Sequence, residues 1–345
     1  MLDDASRLLG ELNAFSQLIP DVNFFIRMHV AKEATTSSRI EGTQTNMEEV
    51  LVDVGDVEPK RRGDWAEVRN YITATHEAIA ALENLPLSNR IIKQAHRTLL
   101  QGVRGRHKRP GEFRISQNWI GVSLKHATFV PPHHVHVPEL MSDLEKFMHN
   151  EAIHVPHLLK IAVIHYQFET IHPFLDGNGR MGRLLIVLYL VGFGLVQKPA
   201  LYLSEFFERH KGEYFDHLMA VRTTDNLLAW IRFFLIGVQE SASLSIDVFK
   251  QVNELKADIE AGKLPRLHTR KQANAQQLMR HLYAQPITSI QEVAGLVDVR
   301  HNTASALVRD FVSLGILREL TGHPRKRLYG FHDYIKLFTN RQVNE

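Results

Sequence analysis

The sequence predicts a mostly α-helical protein with one short β-hairpin and a smaller C-terminal unit of helices and strands. Apolar residues recur at helical spacing through most of the first 260 residues. A β-prone stretch near 110–132, bounded by glycine and proline, interrupts that periodicity and predicts the hairpin. After residue 260 the composition becomes basic, which indicates a separate C-terminal unit.

The elements divide the chain into three parts, 1–60, 61–260 and 261–345. In the first part, helices are expected at 8–18 and 24–39. In the second part, helical periodicity covers 65–85, 89–102, 138–150, 156–169, 203–222 and 226–260. The segment 260–271 is polar and contains glycine and proline, so it predicts a linker or a break in the helix.

Composition limits the class of protein. At 345 residues the chain is long for one hydrophobic core. It has no cysteine, which excludes disulfides and thiolate metal sites. The longest apolar run, 184–196, is too short to cross a bilayer and indicates a buried helix. No signal-peptide pattern opens the chain. These features predict a cytoplasmic protein without a membrane partner.

A run of twelve residues at 172–183 carries the chemistry and reads His-Pro-Phe-Leu-Asp-Gly-Asn-Gly-Arg-Met-Gly-Arg. Gly177 and Gly179 can adopt positive φ, so their N–H groups can turn inward and form a nest for an anion. The helix that follows directs its unpaired N–H groups at the same place. Arg180 and Arg183 share one face of its first turn, and guanidinium groups bind phosphate with two hydrogen bonds. The run predicts a polyphosphate site.

The other polar residues of the run suit chemistry on that polyphosphate. Asp176 beside a phosphate needs a cation between them, and Mg²⁺ prefers one or two carboxylates plus phosphate oxygens. His172 has an ordinary pKa near neutrality and can accept a proton from an attacking hydroxyl. Phe174 is expected to pack inward and hold the loop. Asn178 can donate a side-chain hydrogen bond to a phosphate oxygen.

This run resembles the signature of the Fic family, and no position of the motif is missing. Members of that family typically transfer AMP from ATP to a hydroxyl side chain of a target protein. By this resemblance His172 is the base that deprotonates a Ser, Thr or Tyr hydroxyl, and Asp176 holds Mg²⁺ against the α- and β-phosphates. The resemblance assigns ATP binding to the remaining motif positions, with the arginines on the β- and γ-phosphates: Gly177, Asn178, Gly179, Arg180, Met181, Gly182 and Arg183.

A second segment resembles the flap of the family. It comprises 110–114 (Pro-Gly-Glu-Phe-Arg), 118–121 (Asn-Trp-Ile-Gly) and 127–132 (Ala-Thr-Phe-Val-Pro-Pro). In the family this hairpin aligns the target's backbone by strand addition, whereas without the main motif it would be an ordinary surface hairpin. The flap residues that can line the nucleotide site are His126, Ala127, Thr128 and Phe129.

A third segment, Ser-Ser-Arg-Ile-Glu-Gly at 37–42, has Ser37 and Glu41 on one face of a short helix that Gly42 is suited to end. Alone, it would be a surface helix with a C-cap glycine. Beside the motif it resembles the family's inhibitory helix, in which the glutamate pairs with the second arginine, here Arg183. By that resemblance Glu41 occupies the place of the γ-phosphate. In some relatives the same glutamate also supports removal of AMP from the target.

Further residues have two interpretations each. Tyr214 and Phe215 align with aromatic positions that contact adenine in relatives, and core packing explains them nearly as well. His165 and Glu169 lie four residues apart, a spacing that suits a metal site, but a buried histidine with protein partners is the favoured interpretation. The family's usual habit predicts a homodimer, and self-modification is an expected side reaction.

The C-terminal part, 261–345, holds thirteen Lys and Arg against six Asp and Glu, a balance of +7 in a chain of net charge +3. Helices at 290–297 and 300–314, followed by strands at 316–320 and 328–331 around a basic turn, resemble a winged helix-turn-helix domain. Such modules contact DNA or serve as protein-contact modules. The residues that can face DNA are Arg300, His301, Asn302, Thr303, Ser305 and Arg309, with Arg325, Lys326 and Arg327 on the wing.

Two classes of function follow. The first is a protein adenylyltransferase that uses ATP and Mg²⁺ and is autoinhibited by Glu41. The alternative is a DNA-binding transcriptional regulator whose Fic domain senses a nucleotide or is inactive. The intact His172, Asp176 and both arginines favour the first, because an inactive relic has no reason to keep them. Fic-like enzymes also move phosphocholine, UMP or a phosphate, and pocket shape decides among these groups.

Overall fold

The computed structural model describes residues 1–18, 22–121, 123–321 and 327–339. Its helices confirm the mostly α-helical prediction: α1 (Leu2–Leu18), α2 (Val22–Ile40), α3 (Met47–Val50), α4 (Arg62–Leu82), α5 (Asn89–Leu99), α6 (Val137–His149), α7 (His157–Ile171), α8 (Asn178–Gly192), α9 (Ser204–Arg209), α10 (Lys211–Thr224), α11 (Leu227–Ala257), α12 (Thr269–Ala284), α13 (Ile290–Leu296), α14 (His301–Ser313) and α15 (His332–Thr339). The strands are β1 (Ile120–Gly121), β2 (Ala127–Phe129), β3 (Ile287–Ser289), β4 (Arg318–Glu319) and β5 (Leu328–Gly330).

Helix α8 forms the centre of the core. Every residue from Arg180 to Leu190 is buried, which is the pattern of a helix surrounded by other elements. Helices α4, α5 and α7 pack around it. Because α8 begins at Asn178, the twelve-residue run lies where this buried helix emerges from the core. The first turn of α8 is therefore held rigidly from several sides.

Helix α11 is the longest element and packs against α1, α7, α9, α10 and α15. By length and composition its extended span, Leu227–Arg266, is apolar enough to cross a membrane. Large aromatic residues of α11, including Trp230, Phe234 and Phe249, are buried inside the protein. The indole N–H of Trp230 donates to the main-chain carbonyl of Ala162 at 2.9 Å. This is the environment of a core helix.

The N-terminal helices wrap onto the rest of the protein. Helix α1 packs along α11, and α2 contacts α4, α8, α9 and α12. The segment that carries Ser37 forms the last turns of the 19-residue helix α2, in agreement with the helix expected at 24–39. Gly42 follows it at φ +98°, a conformation that favours glycine and ends the helix. Helix α2 therefore delivers its C-terminal end to the start of α8.

The flap is a two-stranded antiparallel hairpin in which Ile120 pairs with Phe129 and Gly121 with Ala127. A bulge separates these two pairs, and a Cβ on Gly121 would approach the carbonyl oxygen of His126 to 2.8 Å. Among the residues that the structure describes, this sheet has two strands, so each strand keeps an outer edge. The sequence-based prediction of a short hairpin in this region is correct.

The C-terminal part follows the order helix, strand, two helices, two strands, helix. Strand β5 lies between β3 and β4, and both neighbours are antiparallel to it. The basic turn residues Arg325 and Lys326 lie outside the described residues. The segment predicted as a linker or helix break forms a π-helical turn (Asp258–Lys263) and a 3-10 turn (Leu264–Arg266) that continue α11.

Candidate active site

The loop between α7 and α8 starts with a reversal of the chain at His172. This residue ends α7 in the left-handed conformation, with φ 51° and ψ 59°, which costs a non-glycine residue about 1–2 kcal/mol. Arg114 supports the reversal because its side chain donates to the carbonyls of His172 at 3.0 Å and Ile171 at 3.3 Å. Asn118 donates to the carbonyl of Phe174 at 2.9 Å. Two residues of the flap segments, Arg114 and Asn118, thus hold the candidate general base His172 in place.

Phe174 packs inward as expected and is fully buried. Its ring stacks on His96 with 3.7 Å between ring centroids. His96 accepts from the N–H of Gly111 at Nδ1, so Nε2 carries the proton and donates to the carbonyl of Asp176 at 2.9 Å. Burial lowers the pKa of His96 to about 4, which keeps this ring neutral. His96 therefore joins the flap segment to the catalytic loop.

The expectation for the Asn178 side chain needs correction. Its amide does not face the nest, because Oδ1 accepts from the N–H of Phe174 and Nδ2 donates to the carbonyl of Phe174, both at 2.8 Å. The residue is also buried. The side chain satisfies main-chain groups that the tight loop would otherwise leave unpaired. Asn178 shapes the anion site from behind instead of donating to a phosphate.

The nest itself forms where α8 begins. Gly177 adopts φ +75° as the residue before the helix, and Gly179 follows in the first turn. A Cβ on Gly179 would overlap Oε1 of Glu41. Met181 and Gly182 complete this turn, with Met181 fully buried beneath it. The Glu41 carboxylate thus lies against the backbone at the start of α8, where a negative group is favoured.

Arg183 is held by the end of α2. Its Nη2 donates to Oε1 of Glu41 at 2.7 Å and to the main-chain carbonyl of Ser37 at 2.8 Å. Its Nε donates to the Ser37 hydroxyl oxygen at 2.8 Å. Arg183 is 2% exposed, whereas the Glu41 side chain is 38% exposed. Burial opposes ionisation of Glu41, but Arg183 together with Arg180 and His172 lowers the pKa of the Glu41 carboxyl, so the pair with Arg183 is ionic at neutral pH.

Arg180 has a carboxylate partner that the sequence did not indicate. Its Nη1 donates to Oε2 of Glu67, on α4, at 3.0 Å, and both side chains are buried. Arg104 approaches the other oxygen of Glu67 at 3.1 Å from the solvent side. The Asp176 carboxylate lies 4.0 Å from Nη2 of Arg180. Glu67 therefore balances the charge of the first motif arginine and fixes its direction.

His172 is a neutral base in this setting. Burial lowers its pKa to about 4, although the main-chain carbonyl of Glu169 and the Glu41 carboxylate oppose that effect. Its Nδ1 is buried without a hydrogen-bond partner among the described residues, and 18% of the side chain remains exposed. A neutral imidazole has a lone pair available for a proton, as a general base requires.

Helix α10 carries both aromatic candidates and contacts the flap through Arg222. Phe129 lies beneath Arg222 with 3.9 Å from the guanidinium carbon to the ring centroid. Ala127 and Thr128 belong to β2, and His126 precedes it at the surface. Tyr214 is buried, whereas Phe215 is 45% exposed. The structure therefore supports core packing for Tyr214 and leaves Phe215 accessible.

His165 has protein partners on both ring nitrogens, as the favoured interpretation expected. Nδ1 donates to the carbonyl of Gly182 at 3.0 Å, so Nε2 accepts from the Tyr214 hydroxyl at 2.9 Å. Across the described ranges, no group of three or more His, Asp or Glu side chains is arranged to hold a metal ion. Asp176 is one partly exposed carboxylate beside the anion nest, which suits Mg²⁺ held mainly by phosphate and water.

Arg114, Asn118, Glu67 and His96 shape the site, and no role was assigned to them from the sequence. Arg114 and Asn118 lie within the flap segments 110–114 and 118–121, so their place in those segments was the available signal. Glu67 and His96 stand in ordinary amphipathic helices far along the chain from the motif. Local patterns indicate which residues face the core, but not which distant loop they contact.

The twelve-residue run lies within a region that matches a known protein family. Residues 1–80 match the Fic/DOC family N-terminal region, and residues 86–190 match the Fic/DOC family itself. A protein adenylyltransferase Fic of Aedes aegypti is 30% identical over 140 residues, 40% of this chain and 25% of that protein. A probable protein adenylyltransferase of Aquifex aeolicus is 41% identical over 70 residues, 20% of this chain and 22% of that protein. The chain thus spans about a quarter of the length of the curated relatives it matches.

Solved structures share the fold. A Fic family protein from Desulfovibrio desulfuricans matches with a TM-score of 0.58 and 20% identity, over 96% of this chain and 94% of that one. Fic-1 from C. elegans matches with a TM-score of 0.56 and 20% identity, over 72% of this chain and 73% of that one. With its motif loop, its helical architecture and both family regions in place, the chain belongs to the Fic/DOC family.

Proposed function

We propose that this protein is an adenylyltransferase that transfers AMP from ATP to a Ser, Thr or Tyr hydroxyl of a target protein. The observation that carries the proposal is the meeting of a neutral His172 with an anion nest and two buried arginines at the start of α8. A base and a triphosphate site side by side suit nucleotidyl transfer. The curated relatives named as adenylyltransferases support the same activity.

The residues divide the work as follows. His172 accepts the proton of the target hydroxyl, and the N–H groups from Gly177 to Gly179 bind phosphate oxygens, that of Gly177 after release from its hydrogen bond to Asp176. Arg180 and Arg183 bind the β- and γ-phosphates with charge-assisted hydrogen bonds. Asp176 would hold Mg²⁺, which neutralises phosphate charge when bound.

The flap supplies the target site in this proposal. An outer strand edge of the hairpin can add a strand from the target and so align its hydroxyl with His172. Large apolar side chains around the hairpin are exposed, as expected for a surface that binds protein: Ile115, Trp119, Leu124 and Val130. The protein itself can serve as one such target, which would appear as self-modification.

Glu41 inhibits the transfer in this proposal. Its carboxylate lies on the start of α8 and pairs with Arg183 at 2.7 Å, so it competes with a γ-phosphate for the same guanidinium. A bound triphosphate would have to displace this carboxylate or lie beside a like charge. We extend the role of Glu41 to removal of AMP from the modified target, which is tested by release of AMP from purified product.

Labelled ATP tests the activity. The full chain and its Glu41→Gly variant are incubated with a lysate and ATP that is labelled at either the α- or the γ-phosphate, and the protein-bound label is measured. We expect retention of the α label alone, and no label with His172→Ala. Retention of the γ label would show phosphate transfer instead. Absence of α label in every variant, with labelled UTP or CDP-choline as the effective donor, would refute AMP transfer.

A second candidate function concerns the C-terminal part, which we propose to be a winged helix that binds duplex DNA. The start of α14 is favourable because its polar residues are exposed: Arg300, His301, Asn302, Thr303 and Arg309, with Ser305 half-buried. We expect duplex binding by the full chain that weakens steeply with salt. Replacing Arg300 and Arg309 by alanine should weaken it more than replacing the exposed Arg90 and Arg232. Failure to bind any duplex at low salt would refute DNA binding.

The state of the protein in the cell is part of the proposal. We propose a homodimer in the cytoplasm, on the strength of the family resemblance and the absence of cysteine. Light scattering of the full chain over a range of concentrations tests the dimer. A single monomeric mass throughout would refute it.

A further inference from the structure

Glu169 is a buried carboxyl that the proposed chemistry does not use. It lies on the last turn of α7, one turn before His172, and is 6% exposed. Its Oε1 is buried without a hydrogen-bond partner among the described residues. Leaving a buried polar group unpaired costs about 1–3 kcal/mol. We therefore expect the Glu169 carboxyl to have a hydrogen-bond partner when the protein is active.

The candidate base lies beside it. Oε2 of Glu169 lies 4.0 Å from Nδ1 of His172, which is buried without a partner in hydrogen-bond geometry among the described residues, although the main-chain carbonyl of Glu169 lies close enough to raise the pKa of the ring. A movement of about 1 Å would bring the two atoms to hydrogen-bond distance. A Cβ on Gly182 would overlap Oε1 of Glu169, so the first turn of α8 holds the carboxyl from the other side. The carboxyl is thus confined next to the imidazole.

We propose that Glu169 is a positioning residue that accepts a hydrogen bond from Nδ1–H of His172, a role that rests on the proposed AMP transfer. This bond would fix the tautomer whose Nε2 lone pair accepts the proton of the target hydroxyl. As that proton moves to Nε2, the hydroxyl oxygen bonds to the α-phosphorus. The bond from this phosphorus to the β-phosphate oxygen breaks, and pyrophosphate leaves with the electron pair. The carboxylate then faces the imidazolium.

The charges around Glu169 make this bond sensitive to pH. Burial raises the pKa of Glu169 to about 7, Arg183 opposes that rise, Glu41 adds to it, and Arg222 opposes it. The Tyr214 hydroxyl also faces this cluster but stays protonated, because burial raises its pKa well above the ordinary value. Ionised Glu169 accepts from Nδ1–H. Protonated Glu169 would instead donate to Nδ1 and place the ring proton on Nε2, where it blocks catalysis.

Nitrogen NMR tests the tautomer without requiring activity. The full chain is labelled with ¹⁵N-histidine, and the ring signals of His172 are assigned by their loss in His172→Ala. At about pH 8 we expect the Nδ1–H tautomer with an unprotonated Nε2. Glu169→Gln should change the ring signals toward a mixture of tautomers, whereas the exposed control Glu139→Gln should not. The same His172 signals in Glu169→Gln and the native chain would overturn the proposal.

The rate of AMP transfer gives a second readout. In the Glu41→Gly background, adding Glu169→Gln should lower kcat about 100-fold while KM for ATP changes by less than about twofold. In the Glu41→Gly background, activity should rise with pH as Glu169 ionises. The midpoint of this rise should lie below pH 7, because the Glu41 carboxylate that raises the pKa of Glu169 is gone. Adding Glu169→Gln should abolish the rise. Equal kcat and pH profiles in both variants would also overturn the role. If no variant transfers AMP but the tautomer depends on Glu169, the proposed function fails and only the hydrogen bond between Glu169 and His172 stands.

Discussion

We expect Glu41→Gly to raise AMP transfer about tenfold or more. Arg183 makes three hydrogen bonds to the end of α2, and the substitution removes one of them, the ion pair with Glu41. A hydrogen bond between charged groups contributes about 1.5–3 kcal/mol when buried. The Glu41 side chain is 38% exposed, so solvent screening brings the value toward the lower end of that range. About 1.4 kcal/mol corresponds to a tenfold change in ATP binding.

The assay measures transfer of the α-phosphate label over a range of ATP and Mg²⁺ concentrations, both onto the protein itself and in the presence of lysate. Glu83→Gly is the matched control, because Glu83 is an exposed helix C-cap where glycine is tolerated. Glu41→Gln should be intermediate, since it removes the charge but keeps a hydrogen-bonding group near Arg183. Adding Arg183→Ala should abolish the gain, because both substitutions act on one contact.

Two results would refute the reasoning. If Glu41→Gly is no more active than the native chain at any ATP concentration with a competent target present, Glu41 does not inhibit. If the gain survives Arg183→Ala, the inhibition does not act through this guanidinium. Circular dichroism and thermal unfolding of each variant distinguish these results from loss of the fold.

In the Glu41→Gly background, His172→Ala should lower the transfer rate by about 10²–10⁴-fold while ATP affinity, measured by calorimetry, stays nearly constant; an unchanged rate would remove His172 from the chemistry. Asp176→Ala should weaken Mg²⁺-dependent ATP binding, and Asp176→Asn, which keeps an acceptor for the N–H of Gly177, separates metal binding from loop structure; binding that ignores Mg²⁺ would argue against the assignment. Burial lowers the pKa of His96 to about 4. Between that value and the ordinary 6.5 the unfolded chain binds more protons, so unfolding free energy should fall by up to about 3 kcal/mol as pH drops through this window. Urea titrations at several pH values measure this fall in the free energy of unfolding. The His96→Gln variant should lose less free energy of unfolding over the same pH window.

The motif could be predicted from sequence because its chemistry is local. His172, Gly177, Gly179 and the two arginines lie within twelve residues, and backbone freedom and helix-terminus electrostatics act over that distance. The order of helices could be predicted for the same reason, since periodicity is a local signal. Even the flap hairpin was indicated by its glycine and proline boundaries.

The partners of the motif could not be predicted in this way. Glu67 reaches Arg180 across 113 positions of the chain, and nothing in the amphipathic pattern of α4 marks this glutamate out from its exposed neighbours. The Asn178 side chain was misassigned because an amide beside a nest can face a ligand or its own loop. Here the Asn178 amide bonds to its own loop, because the main-chain groups of Phe174 would otherwise be buried and unpaired.

The way α2 holds Arg183 explains how one residue can switch the site without disturbing it. Ser37 supplies two acceptors for Arg183, its hydroxyl and its main-chain carbonyl, and both lie inside the helix. Glu41 lies beyond the last helical residue, Ile40, whose carbonyl accepts from Lys211 at 2.7 Å. Replacing Glu41 therefore leaves the end of α2 and the direction of the guanidinium in place. Because the side chain is already oriented, the triphosphate gains a partner without first ordering it, and this preorganisation is why the gain in activity should follow the loss of a single carboxylate.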